Sequence, residues 1–369
     1  MTGPTGGRAD GMTYPPPGRR QPVVGPGQFR VAAMHLDHGH IYGQCQGLVE
    51  AGAEIVAVHD PDPVRVARFR ERFPEARAVA DSRAILEDPR IHLVAAAAVP
   101  SERGALGVRV MEHDKDYFTD KGPFTTLAQL AAARAVAART GRKYLVYYSE
   151  RLHVECAVRA GDLVREGAVG RVVQVVGLGP HRLDAAKRPA WFFERARYGG
   201  ILCDIASHQV EQFLFYTGNT EARVTAARVG NYHHPQFPEL EDFGDLMLVG
   251  VNGATGYHRV DWLTPDGLAT WGDGRLVILG TDGYIELRKY LNVGDPSPAG
   301  RAGNHLFLVD RAGERHLELA GQVGFPFFGA LIRDCLDRTE TAMTQAHAFT
   351  AAELALQAQA MAERVGPRS

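Results

Sequence analysis

The sequence predicts an α/β protein of two domains, an N-terminal doubly wound parallel sheet and a C-terminal α+β unit with a large, mostly antiparallel sheet. Three observations carry this. From Phe29 to Tyr148 short apolar runs alternate with helical patterns, the order of repeated βα units. The run Leu93–Val99 has no polar interruption, as a strand covered on both faces requires. Beyond residue 220, strand patterns follow one another without long helices between them, which implies antiparallel pairing. At 369 residues the chain is long enough for two cores.

Residues 1–28 carry Pro15, Pro16, Pro17, Pro22 and Pro26 and few apolar side chains. Such a segment buries too little surface to offset its ordering entropy, so a disordered tail is expected. It has no apolar h-region and does not read as a secretory signal. The first domain, 29–150, has predicted strands at Phe29–Met34, Glu54–His59, Arg77–Ala80, His92–Ala98, Asp116–Thr119 and Lys143–Tyr148. Helical patterns fall at Ile41–Ala51, Pro63–Phe73, Ser82–Leu86, Glu102–Glu112 and Thr126–Thr140, the last opened by a Thr126/Gln129 capping box. Strand, tight turn, helix, strand and the acid Asp60 form the order of the first βαβ unit of a Rossmann-type dinucleotide-binding domain. Ligands of such a sheet sit at the strands' carboxyl ends: His35–His40, Asp60, Pro100–Glu102, Asp120–Pro123 and Ser149–Arg151.

The second domain, 151–369, begins with a helix at Val154–Glu166, a strand at Val172–Gly177, an irregular stretch and a helix at Ile205–Thr217. Strands are predicted at Ala222–Gly230, Phe243–Val251, Thr255–Leu263, Arg275–Leu279, Tyr284–Tyr290, His305–Val309 and Arg315–Leu319. Turn pairs such as Asn252-Gly253 and Asp282-Gly283 mark reversals. Helices at Phe327–Asp337 and Phe349–Val365 close the chain.

A net charge of −2 with no basic block argues against nucleic acid or an anionic membrane as partner. No apolar run approaches the roughly 20 residues of a membrane span. Cys45, Cys156, Cys203 and Cys335 lie far apart with no CxxC pair, as in a reduced, cytoplasmic protein.

Three motifs carry a family resemblance: Thr119-Asp120-Lys121-Gly122-Pro123 at the fifth strand's end, Gly199-Gly200 followed by Asp204 and His208, and Gly280-Thr281-Asp282-Gly283 at a late strand turn. In their order and spacing the chain resembles the Gfo/Idh/MocA family, that of glucose–fructose oxidoreductase and inositol dehydrogenase. The resemblance implies NAD- or NADP-dependent oxidation or reduction of a sugar, cyclitol or related polyol. It also implies an open face on the second sheet that mediates oligomer contacts, as a dimer or tetramer. Related enzymes use bound NAD for net glycoside cleavage, and a non-catalytic ligand-binding or regulatory protein on the same fold is the other alternative.

Asp204 and His208 stand four apart at a helix start and can share one face. A histidine suits removal of a hydroxyl proton, and an aspartate beside it can orient the ring. Lys121 at a strand end can stabilise alkoxide charge. These three are the expected catalytic residues. Gly122 stands where the family places proline, which predicts a less rigidly aimed Lys121. Asp60 suits the adenosine ribose, and Pro61, Asp62 and Pro63 follow it with no immediate arginine, so NAD is favoured over NADP. The expected cofactor set is Leu36, Asp37, His38, His40, Asp60, Pro100 and Lys121, and Arg151, His181 and Trp191 are expected to meet the substrate. The first turn is the unusual feature: His35, Asp37 and His40 occupy the positions of the fingerprint's three glycines. It reads as a variant dinucleotide loop, as a loop that has lost tight cofactor binding, or as a metal site drawn from His35, Asp37, His38 and His40. Four ligands crowded in one turn cannot all converge, so no metal is expected.

Overall fold

The computed structural model describes residues 11–12, 16 and 18–367. The first sheet consists of β1 (Arg30–Met34), β2 (Glu54–His59), β3 (Arg77–Ala78), β4 (Leu93–Ala96), β5 (Asp116–Asp120) and β6 (Tyr144–Tyr147). All are parallel in the order β3-β2-β1-β4-β5-β6. The order reverses between β1 and β4, and a crevice opens there at the strands' carboxyl ends. Helices α1 (His40–Glu50), α2 (Pro63–Arg72), α3 (Arg83–Leu86), α4 (Pro100–Glu112) and α5 (Leu127–Thr140) form the crossovers. The Thr126 side chain caps α5 by accepting the Gln129 N–H at 3.2 Å, but the Gln129 amide oxygen closes on the Thr125 N–H at 2.9 Å, one residue before the expected box.

The second sheet consists of β7 (Val172–Pro180), β8 (Ala222–Gly230), β9 (Phe243–Gly250), β10 (Thr255–Asp261), β11 (Arg275–Gly280), β12 (Gly283–Arg288), β13 (His305–Asp310), β14 (Gly313–Glu318) and β15 (Glu363–Val365). Its order is β14-β13-β12-β11-β7-β10-β9-β8-β15. Pairing is antiparallel except for β7 with β10 and β8 with β15. One face packs on the helix Ala206–Thr217, whose side chains are nearly all buried. The other presents Met247, Leu279 and Tyr284 to solvent.

Two segments depart from the sequence expectation. The closing helix spans Gln345–Met361, not Phe349–Val365. It starts earlier because the Thr344 side chain caps it through the His347 N–H at 3.1 Å. It ends earlier because Glu363–Val365 leave the helix to add a strand to β8, where the sheet edge supplies backbone partners. The expected disordered tail is also corrected for residues 18–28. The Gln21 and Val23 N–H groups donate to Glu50 O and Ala51 O, each at 2.9 Å, using carbonyls that the end of α1 cannot satisfy internally. Residues 1–10, 13–15 and 17 of that tail lie outside the described residues. The last two helices return to the first domain. Phe328 fills the space above Gly47, and Gln345 hydrogen-bonds the Tyr144 backbone at 2.8 Å.

Candidate active site

A cavity lies between the domains where β5 and β6 end. His38, His40, Lys121, Glu150, His181 and His208 face it together with Trp262 and Trp271. Lys121 comes from the end of β5, and its ammonium pairs with the Asp204 carboxylate of the second domain. Both side chains are buried, so the pair ties the domains at the cavity floor. Gly199 and Gly200, at φ 87° and 94°, make the turn that presents Asp204. A Cβ on Gly200 would meet the Gln359 amide at 2.3 Å, so this turn requires glycine.

The expectation of a loosely aimed Lys121 is overturned. Gly122 adopts φ 64° with its would-be Cβ 3.0 Å from the Cys203 carbonyl oxygen, a position that favours glycine for both conformation and space. Asp120 Oδ1 accepts the Lys121 N–H at 2.8 Å. The buried Arg103 guanidinium holds the Lys121 carbonyl, Gly122 O at 3.3 Å and Asp120 Oδ2 at 3.1 Å. The backbone under Lys121 is therefore clamped on both sides.

His208 is buried with no partner for Nδ1 among the described residues. Burial pushes its pKa down to about 3, partly offset by the nearby Glu150 charge. The resting ring is neutral and a weak base, so it takes a proton only where negative charge beside it favours the imidazolium. His181 also faces the cavity, packed against Trp262 and Trp271 at 5.3 and 4.6 Å between ring centroids.

Two expected substrate residues lie elsewhere. Arg151 turns away from the cavity, donating from Nε to Glu211 at 2.7 Å with its guanidinium 3.8 Å over the Phe215 ring. Trp191 is buried against Phe192 at 5.7 Å and does not line the cavity. Position after a strand suggested Arg151, and residue type suggested Trp191; orientation, set by packing, decided against both. The sequence reading did not single out Asp120 as a partner, nor Glu150, Arg103, Trp262 or Trp271. Glu150 was visible only as part of the Ser149–Arg151 strand end.

The turn after β1 keeps the course of a dinucleotide loop with different residues. His35 holds φ 52°, the left-handed conformation glycine usually supplies. The Leu36 N–H donates to Asp60 Oδ2 at 2.6 Å, and Asp60 Oδ1 accepts the Asp62 N–H at 2.8 Å. Arg65 pairs with Asp37 and lies 3.6 Å from Asp60 and 3.7 Å from Asp62. An arginine therefore does reach Asp60, from the first turn of α2, but three carboxylates share it. His40 Nδ1 lies 2.8 Å from Asp120 Oδ1 and His38 Nδ1 lies 3.3 Å from Asp120 Oδ2. Burial lowers the His38 pKa well below its ordinary value, with the neighbouring His40 adding to the shift. Burial would raise the Asp120 pKa, but His40, Arg103 and His38 outweigh it and hold the carboxylate well below its ordinary range. These three ligand-type groups lie close together, yet Asp120 already serves Arg103 and the Lys121 N–H. Pro100 opens α4, with three residues between it and the end of β4, and is buried.

A parallel doubly wound sheet whose crevice faces a cavity lined by Lys121 and His208, beside a second, largely antiparallel sheet, defines a two-domain protein of the dinucleotide-binding class. The first domain matches the oxidoreductase family with NAD-binding Rossmann fold over residues 20–148, and the Gfo/Idh/MocA C-terminal domain matches residues 157–286. The chain belongs to the Gfo/Idh/MocA family. It is 49% identical, at a TM-score of 0.88, to a crystal structure from Erwinia carotovora atroseptica provisionally called an oxidoreductase, covering 92% of this chain and 100% of that one. It is 27% identical over 207 residues to inositol 2-dehydrogenase of Acidothermus cellulolyticus, spanning 55% of this chain and only 56% of that enzyme. It is 25% identical over 265 residues to scyllo-inositol 2-dehydrogenase (NAD(+)) of Bacillus subtilis, spanning 70% and 73%.

The first turn fits the family's dinucleotide in three respects. The α1 N-terminus carries no acidic residue in its first turn, so no side-chain charge there opposes the helix dipole's attraction for a pyrophosphate. Arg65 neutralises Asp37, the group that would repel one. Each Asp60 oxygen retains a second lone pair for a ribose hydroxyl.

Proposed function

We propose that this protein is an NAD-dependent dehydrogenase acting on a secondary alcohol of a sugar or cyclitol. The single observation that carries the reading is Lys121, held by an ion pair to Asp204 across the domain junction and facing the same cavity as His208. Bound NAD supplies the hydride acceptor. Lys121 donates a hydrogen bond to the reacting oxygen and stabilises its developing negative charge. Asp204 keeps the ammonium in place and balances its charge. The neutral His208 ring takes the hydroxyl proton, and the negative Glu150 nearby favours the imidazolium that results. The polyol class follows from the named activities of the two curated dehydrogenases and from a cavity rich in buried hydrogen-bonding groups. NAD is preferred to NADP because Asp37, Asp60 and Asp62 already share Arg65, leaving little positive charge for a 2′-phosphate. The exposed apolar side chains Met247, Leu279 and Tyr284 on the second sheet suit contact with a second copy in a dimer or tetramer.

Titration of purified protein with NAD(H), followed by reduced-nicotinamide absorbance in the presence of inositols and aldoses, tests the reading. His208→Ala should abolish turnover and leave cofactor affinity nearly intact. Failure to bind NAD(H) at roughly millimolar concentration, weaker than about −4 kcal/mol, would refute the dehydrogenase and favour a ligand-binding protein on this fold.

A further inference from the structure

We propose that Glu150 is a specificity-determining residue whose free carboxylate oxygen accepts a hydroxyl of a neutral polyol next to the reacting carbon. The inference rests on the dehydrogenase reading for what the cavity holds. Glu150 lies on the one-turn helix Ser149–Leu152 that follows β6 and is 3% exposed. Its Oε2 is fully engaged, accepting from Lys289 Nζ and from Gln209 Nε2, each at 2.8 Å. Its Oε1 is buried and has no partner among the described residues, although Glu150 lines the cavity with Lys121 and His208.

The surroundings fix this arrangement at some expense. Lys289 is 1% exposed and donates also to Gln212 Oε1 at 2.8 Å. A buried ion pair of this kind is commonly replaceable by apolar residues without loss of stability, so stability does not account for it. Gln209 stands beside Gly177 and Gly179 of β7, where a Cβ would approach its amide to 2.3 and 2.9 Å. The glycines thus admit the side chain that anchors Glu150. Burial alone would raise the Glu150 pKa, but Lys289, with His208 and His181, outweighs it and brings it to about 2. The group is therefore an anion with one oxygen held and the other without a partner among the described residues, on a side chain that lines the cavity. An unpaired buried carboxylate oxygen is costly, and a hydroxyl donor relieves that cost. A carboxylate or phosphate in the same place would be repelled.

The test measures binding of myo-inositol, its monodeoxy analogues and glucuronate to the full-length protein by calorimetry, for wild type and Glu150→Gln. Circular dichroism and thermal melting verify that the variant folds. Glu150→Gln should weaken myo-inositol binding about tenfold or more, the loss of one charge-assisted hydrogen bond. One deoxy analogue should bind wild type about that much more weakly and be insensitive to the substitution, a result that needs no variant to be seen. Glucuronate should bind the variant better than wild type. Equal myo-inositol affinity for wild type and variant, or no binding of the polyol to wild type, overturns the proposal. NAD(H) binding and turnover of another alcohol in that case would leave the dehydrogenase reading intact. Glu150-dependent polyol binding without NAD(H) binding would support the proposal and refute that reading.

Discussion

Acidification should destabilise this protein well before its carboxylates titrate. His153, His208 and His258 are almost fully buried, and burial pushes each ring's pKa from 6.5 down to about 3. Above pH 6.5 these rings are neutral in the folded and unfolded chain alike and contribute no pH dependence. Below it, the unfolded chain binds a proton on each ring that the folded chain refuses. Stability therefore falls as pH falls, through the window from about 6.5 to about 3. Each ring costs about 1.4 kcal/mol per pH unit, so one unit below 6.5 these three alone remove about 4 kcal/mol, and the buried His38 and His181, depressed likewise, add to it. That is a large part of a typical total of about 5–15 kcal/mol. With a urea m-value of about 4 kcal/mol/M, the unfolding midpoint should drop by at least about 1 M between about pH 7.5 and about pH 5.5. Glu150 and Glu211, held near 2, are ionised in both states across that interval and do not contribute. His258 lies outside the cavity, and neither ring nitrogen has a partner among the described residues. His258→Leu should remove one of five such rings, since burial depresses His38 and His181 as well, and flatten the pH slope by about a fifth. An unchanged midpoint at the two pH values, or a wild-type slope in the variant, would refute the reasoning.

Three further outcomes follow from the geometry. Gly122→Ala places a Cβ 3.0 Å from Cys203 O at φ 64° and should cost about 1–3 kcal/mol in unfolding free energy. It should also lower kcat more than it raises KM for NAD, since Lys121 is displaced and the cofactor turn is not. Arg65→Ala leaves Asp37 unneutralised and should weaken NAD(H) binding by about tenfold in a fluorescence titration, an effect that shrinks as salt rises. Arg151→Met removes one partner of the buried Glu211 carboxylate and should lower stability by about 3–5 kcal/mol in denaturant unfolding. Substrate KM should hardly change, because Arg151 does not face the cavity; a large KM effect would return it to the substrate site.

The first domain was largely legible in the sequence because its strands and helices each carry their own period. β2 is observed with the predicted bounds, and β1, β4, β5 and β6 fall within about three residues of theirs. Asp204 and His208 were legible as residues four apart after a glycine turn, but Asp204 closes one short helix and His208 lies in the next, and the carboxylate pairs with Lys121 and does not orient the ring. Gly122 shows the limit of local reading. Seen in sequence it suggested looseness, and only the approach of the Cys203 carbonyl reveals that its freedom is used to fix Lys121.

What the sequence by itself determined was residue chemistry and element order: a doubly wound sheet, a second sheet, and a lysine, an aspartate and a histidine at element ends. What the tertiary structure decided was pairing and direction. Lys121 meets Asp204 across 83 residues and Glu150 meets Lys289 across 139, separations over which no periodicity carries information. Arg151 and Trp191 had suitable side chains yet point into packing, while Glu150, a residue type normally exposed, lines the cavity with one carboxylate oxygen unpartnered among the described residues. The physical reason is common to all of them. Strand and helix spacing fix which residues can share a face, but which face meets the other domain depends on how two cores pack against each other.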